Sequence, residues 1–407
     1  MHHNATRFSP LIKIRLSDNR RLAKAAVIGL AILAAGCAPG GLGDRFKSTE
    51  TEPVGPIQGE VIGTGEIRVA LLVPKSIAGG TGRAGNDMYK AAKLAMSELQ
   101  NSNIKLLVKD TAGAPEQARA AARQATREGA ELIIGPMRGA STREVASVAR
   151  SANVPVISFT NDASAAAPGV YVMGFNPELD VNRVVSYAAS KGKSRFAAIL
   201  PNNSYGSLVE PAFRRAVSQN GGQVVWISRY ALDIPSIDAA SIELANSIGD
   251  ADAIFIPDGA DVATRIISKV WQTTSVDKAQ ILGTGQWVGA KGNSLAILEG
   301  AWYSAPDQSR FVDFEQRFRA ANGDAPLRIA SIAYDAVTLA SGLAANFGTN
   351  RYSNQTITNP NGFVGLDGSF RFAGNGRAQR SLAVYTISGG QPKVLDPAQH
   401  SFSPNRF

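Results

Sequence analysis

Short apolar runs and amphipathic stretches alternate along most of this chain. Ile67–Val73 (IRVALLV) is an unbroken apolar run closed by Pro74, as expected of a strand buried on both faces. Ala84–Leu99 places apolar residues at helical spacing, and Ile104–Lys109 reads as a second strand. Pro115 opens a helix running to Glu128, at an early position where its missing N–H does no harm. Glu131–Ile134, Ser141–Ser151 and Val154–Ile157 continue as strand, helix and strand. This alternation predicts a mostly parallel sheet covered by helices. A second round follows, with helix Leu179–Ala189 and strands Arg195–Leu200, Gln223–Ser228, Ala253–Ile256 and Gln280–Leu282. Helices Tyr205–Gln219 and Asp261–Gln272 lie between those strands. Two more helices, Arg310–Ala321 and Leu327–Ala345, precede hairpin-like segments at Phe363–Phe372 and Ser381–Ile387, separated by Gly374–Gly376. The predicted fold class is therefore α/β, in two units of similar size.

The first 65 residues have a different pattern. Ala25–Ala35 (AAVIGLAILAA) is about half the length needed to span a bilayer. A basic segment precedes it and a small-residue site follows, the layout of a secretory signal peptide over residues 1–36. The site, Leu33-Ala34-Ala35-Gly36-Cys37, resembles a bacterial lipobox, in which the cysteine thiol is lipidated; Cys37 is the only cysteine of the chain. Residues 37–65 carry no periodicity and read as a flexible tether. Six of the 42 basic residues and one of the 33 acidic ones fall in Met1–Gly36, so the leader alone holds +5 of the +9 net charge. The rest is nearly neutral, and nucleic acid is not an expected partner.

The histidines are His2, His3 and His400. The folded body thus lacks both histidine and thiol, which removes histidine triads, cysteine nucleophiles and the usual zinc sites. No catalytic residue, metal or cofactor is expected. Gly80-Thr81-Gly82-Arg83-Ala84-Gly85 matches a dinucleotide-binding GxGxxG, but six residues separate it from the strand ending at Val73. It reads instead as a loop ahead of a helix. Ser190–Lys193 and Ser102–Lys105 each fit SxxK without the companion motifs of serine acyl enzymes.

Ile67–Leu99, Asp110–Ala122 and Ile133–Phe159 resemble type I periplasmic binding proteins of the leucine/isoleucine/valine branch. Pro201–Phe213 and Phe363–Phe372 resemble the second lobe and tail of the same branch. The resemblance implies two Rossmann-like lobes joined by three crossovers, near Asn176, Ser304 and Gln379. Lobe 1 would take residues 66–176 and 305–378, lobe 2 residues 177–304 and 379–396, and a tail residues 397–407. It also implies a cleft ligand, an ABC permease as partner and a monomer in the periplasm, here lipid-anchored to an envelope membrane.

Ligands of open α/β sheets bind beyond the carboxyl ends of the strands. The residues expected there are Ser76, Arg138, Gly139, Ala140, Ser141, Thr160, Asn161 and Asp162 from the first lobe. The second lobe supplies Tyr205, Asp258, Gln286 and Trp287. The resemblance implies that first-lobe hydroxyls hold a ligand carboxylate while a second-lobe acid and tyrosines hold its ammonium. Here Gly139 stands where the pattern has a hydroxyl, Asp162 would repel a carboxylate, and no acid stands near Gly285, leaving Asp258 as the substitute. The same fold occurs in lipoprotein activators of penicillin-binding proteins, so a protein-binding role is the alternative to solute binding.

Overall fold

The computed structural model describes residues 54–273, 279–290, 292–399 and 401–402. The signal-peptide and Cys37 assignments lie outside them. Among the described residues no helix is long and apolar enough to cross a membrane.

The first lobe is built on Val61–Ile62 (β1), Ile67–Val73 (β2), Ile104–Asp110 (β3), Leu132–Ile134 (β4), Val156–Ser158 (β5) and Val170–Val172 (β6). They form one sheet in the order β1-β3-β2-β4-β5-β6, parallel throughout except for the antiparallel edge strand β1. Gly79–Glu98 (α1), Pro115–Arg127 (α2) and Gly139–Ser151 (α3) connect the strands. The unbroken apolar run of β2 has a direct cause. Val69, Leu71 and Val73 enter the core on the α1 face, while Ala70 and Leu72 enter the one on the α2 and α3 face.

The second lobe runs Pro177–Ser190 (α4), Arg195–Pro201 (β7), Ser204–Gln219 (α5), Gln223–Tyr230 (β8), Ile234–Ser247 (α6), Ala253–Phe255 (β9), Ala260–Thr273 (α7), Gln280–Gly283 (β10), Asn293–Ile297 (α8) and Trp302–Ala305 (β11). The chain then returns to the first lobe as Ser309–Asn322 (α9), Ala330–Asn346 (α10) and Asn354–Ile357 (α11). Phe363–Gly365 (β12), Gly368–Phe372 (β13) and Ala378–Arg380 (β14) add a small antiparallel sheet whose phenylalanines share the first-lobe core with α1 and α10. Finally Ala383–Ser388 (β15) and Gln391–Asp396 (β16) complete the second sheet, in the order β16-β15-β11-β10-β9-β7-β8. In that sheet β15 and β16 are antiparallel and the other strands parallel.

The chain passes between the sheets at 173–176, 306–308 and 381–382. It leaves β6 and β11 at their carboxyl ends and enters β15 beside the carboxyl end of β11. All three passages therefore lie at strand carboxyl ends, and the two sets of ends face each other across them.

Four expectations need correcting. Residues 54–65, read as part of a flexible tether, form an ordered strap over the first lobe. Gly55 N–H donates to Arg127 O, Val108 N–H donates to Glu60 O, and β1 pairs with β3. The Gly80–Gly85 loop is helical, being the start of α1. A Cβ on Gly82 would fall 1.6 Å from the Ile77 carbonyl oxygen, and one on Gly85 2.1 Å from that of Pro74. These glycines let the helix rest on its own incoming loop; they do not cradle a phosphate. Helix α6 and strands β6, β11 and β16 were not anticipated. The buried face of α6 is largely Ala and Ser, which weakens its apolar signal, although Asp233 caps it through Ser236 N–H. The C-terminal tail is partly packed: Ala398 belongs to the second-lobe core, and Phe402 is buried with the Arg371 guanidinium 4.7 Å from its ring centroid.

Candidate functional site

The first-lobe wall starts with the loop after β2. Asp110, the last residue of β3, accepts Lys75 N–H at 2.8 Å and Ser76 N–H at 3.1 Å. Burial pushes its carboxyl up, but bonds from Ser76, Ala112 and Lys75 outweigh that and hold it below the usual carboxylate range. Asp110 therefore fixes a rim loop, and the Ser76 side chain is exposed on it. Next, α3 begins with Gly139, after the exposed Arg138, and no side chain caps it. Ala140 is exposed and Ser141 buried. The hydroxyls of Thr142 and Ser158 bond one another at 2.7 Å inside the lobe.

Thr160 is buried, and its hydroxyl accepts Asp162 N–H at 3.1 Å. Asn161 is exposed. Asp162 turns towards α3. Its Oδ2 accepts Arg143 Nη2 at 2.7 Å, and its Oδ1 accepts Ser164 N–H at 3.0 Å and Ser164 Oγ at 2.5 Å. Burial raises this carboxyl, but Ser164 and Arg143 outweigh it and hold it below the ordinary range.

The second-lobe wall gathers polar groups from separate elements. Tyr205, in the first turn of α5, brings its hydroxyl within 3.3 Å of Thr284 Oγ1; burial raises that phenol. Asp258, after β9, accepts Tyr230 OH at 2.5 Å and Gly259 N–H at 2.7 Å. Gln286 is exposed.

Trp287 is not available to a ligand in this arrangement. It is 1% exposed, its indole N–H donates to Asp258 O at 2.8 Å, and its ring lies where a Gly283 side chain would stand. It is core of the second lobe, packed against Tyr303.

Sequence reasoning missed Asp180. This residue of α4 accepts Gly285 N–H and the Ser304 hydroxyl, the latter at 3.2 Å to Oδ1. Burial dominates and pushes its carboxyl up to about 7, against the pull of Ser304, Gly285 and Arg380. An acid thus stands beside Gly285 after all, contributed by a residue more than a hundred positions earlier, with no local motif to announce it. Arg380 was also missed. It is 8% exposed at the passage between lobes, donates to Met173 O at 3.3 Å and lies 5.3 Å from the rings of both Phe175 and Phe370. Among the described residues no cluster of three His, Cys, Asp or Glu is placed to hold a metal ion.

Comparison with known proteins gives this architecture a context. The sequence profile described as "Periplasmic binding protein" matches residues 66–391. The Rickettsia prowazekii (strain Madrid E) protein RP748 is 22% identical over 183 residues, covering 45% of this chain and 48%, about half, of that protein. A branched chain amino acid ABC transporter periplasmic ligand-binding protein from Burkholderia xenovorans LB400 superposes with a TM-score of 0.66 at 17% identity, covering 83% of this chain and 96% of that one. The C-domain of LpoA from Haemophilus influenzae, a regulator of PBP1A, gives a TM-score of 0.64 at 16% identity, covering 81% and 99%. At these identities the structural likenesses speak for the fold alone.

Proposed function

The chain belongs to the periplasmic binding protein family, and from that premise we propose that it holds a small polar solute between its two lobes for an ABC permease. It would act from the periplasm, tethered by a lipid on Cys37, and perform no catalytic step. The observation that carries this reading is the second-lobe wall. Tyr205, Thr284, Asp258 and Asp180 come from four elements and converge at strand carboxyl ends, with Asp180 held by Gly285 N–H. These groups can donate to and accept from a polar ligand, with the exposed Gln286 at the margin.

Calorimetry and thermal shift on the purified full chain, against amino acids, short peptides, sugars and muropeptide fragments, test it. A ligand at a hundred times its Kd adds about 2.7 kcal/mol of stability. Tyr205→Phe should then weaken that binding about tenfold, the effect of losing a ~1.4 kcal/mol contact. Folded protein that responds to nothing in the panel overturns the reading.

A second reading, activation of a penicillin-binding protein through surface contact, has its own support. The LpoA C-domain is about as similar as the solute receptor. Leu208, Leu232 and Ile234 are also exposed large apolar residues, on α5 and beside the carboxyl end of β8. Direct binding to a purified penicillin-binding protein, abolished by Leu232→Asp, would favour it over solute binding.

A further inference from the structure

Four buried side-chain atoms lack a hydrogen-bond partner among the described residues: Glu128 Oε2, Arg195 Nε, Arg351 Nε and Arg380 Nη1. The first three belong to groups that are ion-paired, with Lys109, Asp250 and Glu131. Arg380 differs. It is 8% exposed, yet its one hydrogen bond among the described residues runs from Nη2 to the neutral Met173 O, at 3.3 Å. Asp180 of the second lobe and Asp335 of the first both attract it, but they bond elsewhere. Asp180 accepts from Gly285 N–H and Ser304, and Asp335 from Leu366 N–H. Burial raises both carboxyls, so neither is a full counter-charge at neutral pH. A buried cation without a paired anion is costly, and an orphaned buried donor calls for a partner the fold does not supply.

Arg380 ends β14, directly before the 381–382 passage, and its bond to Met173 ties it to the 173–176 passage. It stands beside the carboxyl end of β6, with Asp180 of the second-lobe wall as its electrostatic neighbour. Two rings lie 5.3 Å from the guanidinium: Phe370, a core residue, and Phe175, half-buried in the passage. We propose that Arg380 is a carboxylate-recognition residue of the cleft, its free Nη1 donating to a small carboxylate solute, with Phe175 the contact that yields to it. The proposal rests on the solute-binding reading and deepens it by naming the solute class. Arginine suits the task, because its guanidinium stays charged and its planar fork matches a carboxylate. A carboxylate held here needs no hydroxyl at position 139, where the chain has Gly139. A simpler occupant of Nη1 is a buried water. A water would leave the protein indifferent to carboxylates, and this separates the two.

The test uses the purified full chain as wild type, Arg380→Met and Arg380→Lys, read by calorimetry and thermal shift. Acetate and L-leucine are the probes. Acetamide and L-leucinamide serve as partners lacking the carboxylate, and chloride serves as a free anion at matched ionic strength. Wild type should bind at least one of the two carboxylates, and more tightly than its amide. Arg380→Met should bind that probe at least tenfold more weakly. Arg380→Lys keeps the charge without the fork and should fall between them; it decides the question alone if the Met variant does not fold. Equal affinity in wild type and variants, no binding by any of them, or an equal response to chloride overturns the proposal. Wild type that binds only neutral or cationic solutes overturns the role of Arg380 and leaves the solute-binding reading standing. Carboxylate binding that needs Arg380 but is unmoved by Tyr205→Phe does the reverse: the second-lobe wall loses its role and Arg380 keeps its own.

Discussion

Lys109 Nζ lies 2.7 Å from Glu128 Oε2, with the two side chains 4% and 3% exposed. The N-terminal strap seals the pair: Gln58 O accepts Lys109 Nζ at 2.6 Å, and Gln58 N–H donates to Glu128 Oε1 at 2.9 Å. Removing one partner of a buried ion pair costs about 3–5 kcal/mol, because the other charge is left uncompensated. Glu128→Ala should lose that much in urea unfolding and release the strap to proteolysis between residues 54 and 60. Lys109→Met combined with Glu128→Leu should recover most of the loss. A single variant with an unmoved midpoint would show that the pair is not sealed.

The glycines of Gly80–Gly85 should behave unequally. Gly82→Ala meets a backbone oxygen at 1.6 Å and should cost more than about 2 kcal/mol, as overpacking against an immovable neighbour does. Gly80 has nothing within 4 Å, so Gly80→Ala should gain up to about 1 kcal/mol of helix propensity. Equal effects in thermal unfolding would contradict the packing explanation, and tight binding of a dinucleotide would revive the motif.

Asp335 gives stability a pH dependence. It is 3% exposed and accepts Leu366 N–H at 2.9 and 3.1 Å. Burial, and after it the charge of Asp367, pushes its carboxyl up to about 7. The unfolded chain releases this proton near ~3.9. The contribution is therefore complete below about pH 4 and is lost as pH rises through about 7. Asp335→Asn should gain stability over wild type between pH 5 and pH 8, by up to about 1.4 kcal/mol per pH unit. Wild type and variant melting curves that keep a constant separation across that range would contradict it. Asp180, raised in the same direction, leaves the variant some residual slope.

Trp287 should matter to folding and not to ligand choice. Trp287→Ala opens a cavity beside Tyr303 and orphans Asp258 O, so about 3–5 kcal/mol of stability should go. Trp287→Phe should retain both the fold and the affinity for any solute the wild type binds. A selective loss of affinity in the Phe variant would return the residue to the binding wall.

The alternation was legible where a strand carries its own apolar run, as β2 does, and a helix its own period; β16, mostly exposed, offered no such run. Glycine and alanine were harder. Nothing local distinguishes a glycine that frees a loop from Gly82, which seats a helix, and the alanines of α6 give little contrast between faces. What could not be read was pairing at a distance. Asp180 meets Gly285, and Asp162 meets Gly139, only once separate elements are folded against one another.

The packed tail bears on how far the lobes can swing. Three passages, at 173–176, 306–308 and 381–382, join the lobes. Ala398 is fixed in one lobe and Phe402 beside Arg371 in the other, so these two residues act as the ends of a check cord. Four residue steps reach at most ~14 Å when fully drawn out. Holding those two seats further apart than that would first pull Phe402 from its place beside Arg371.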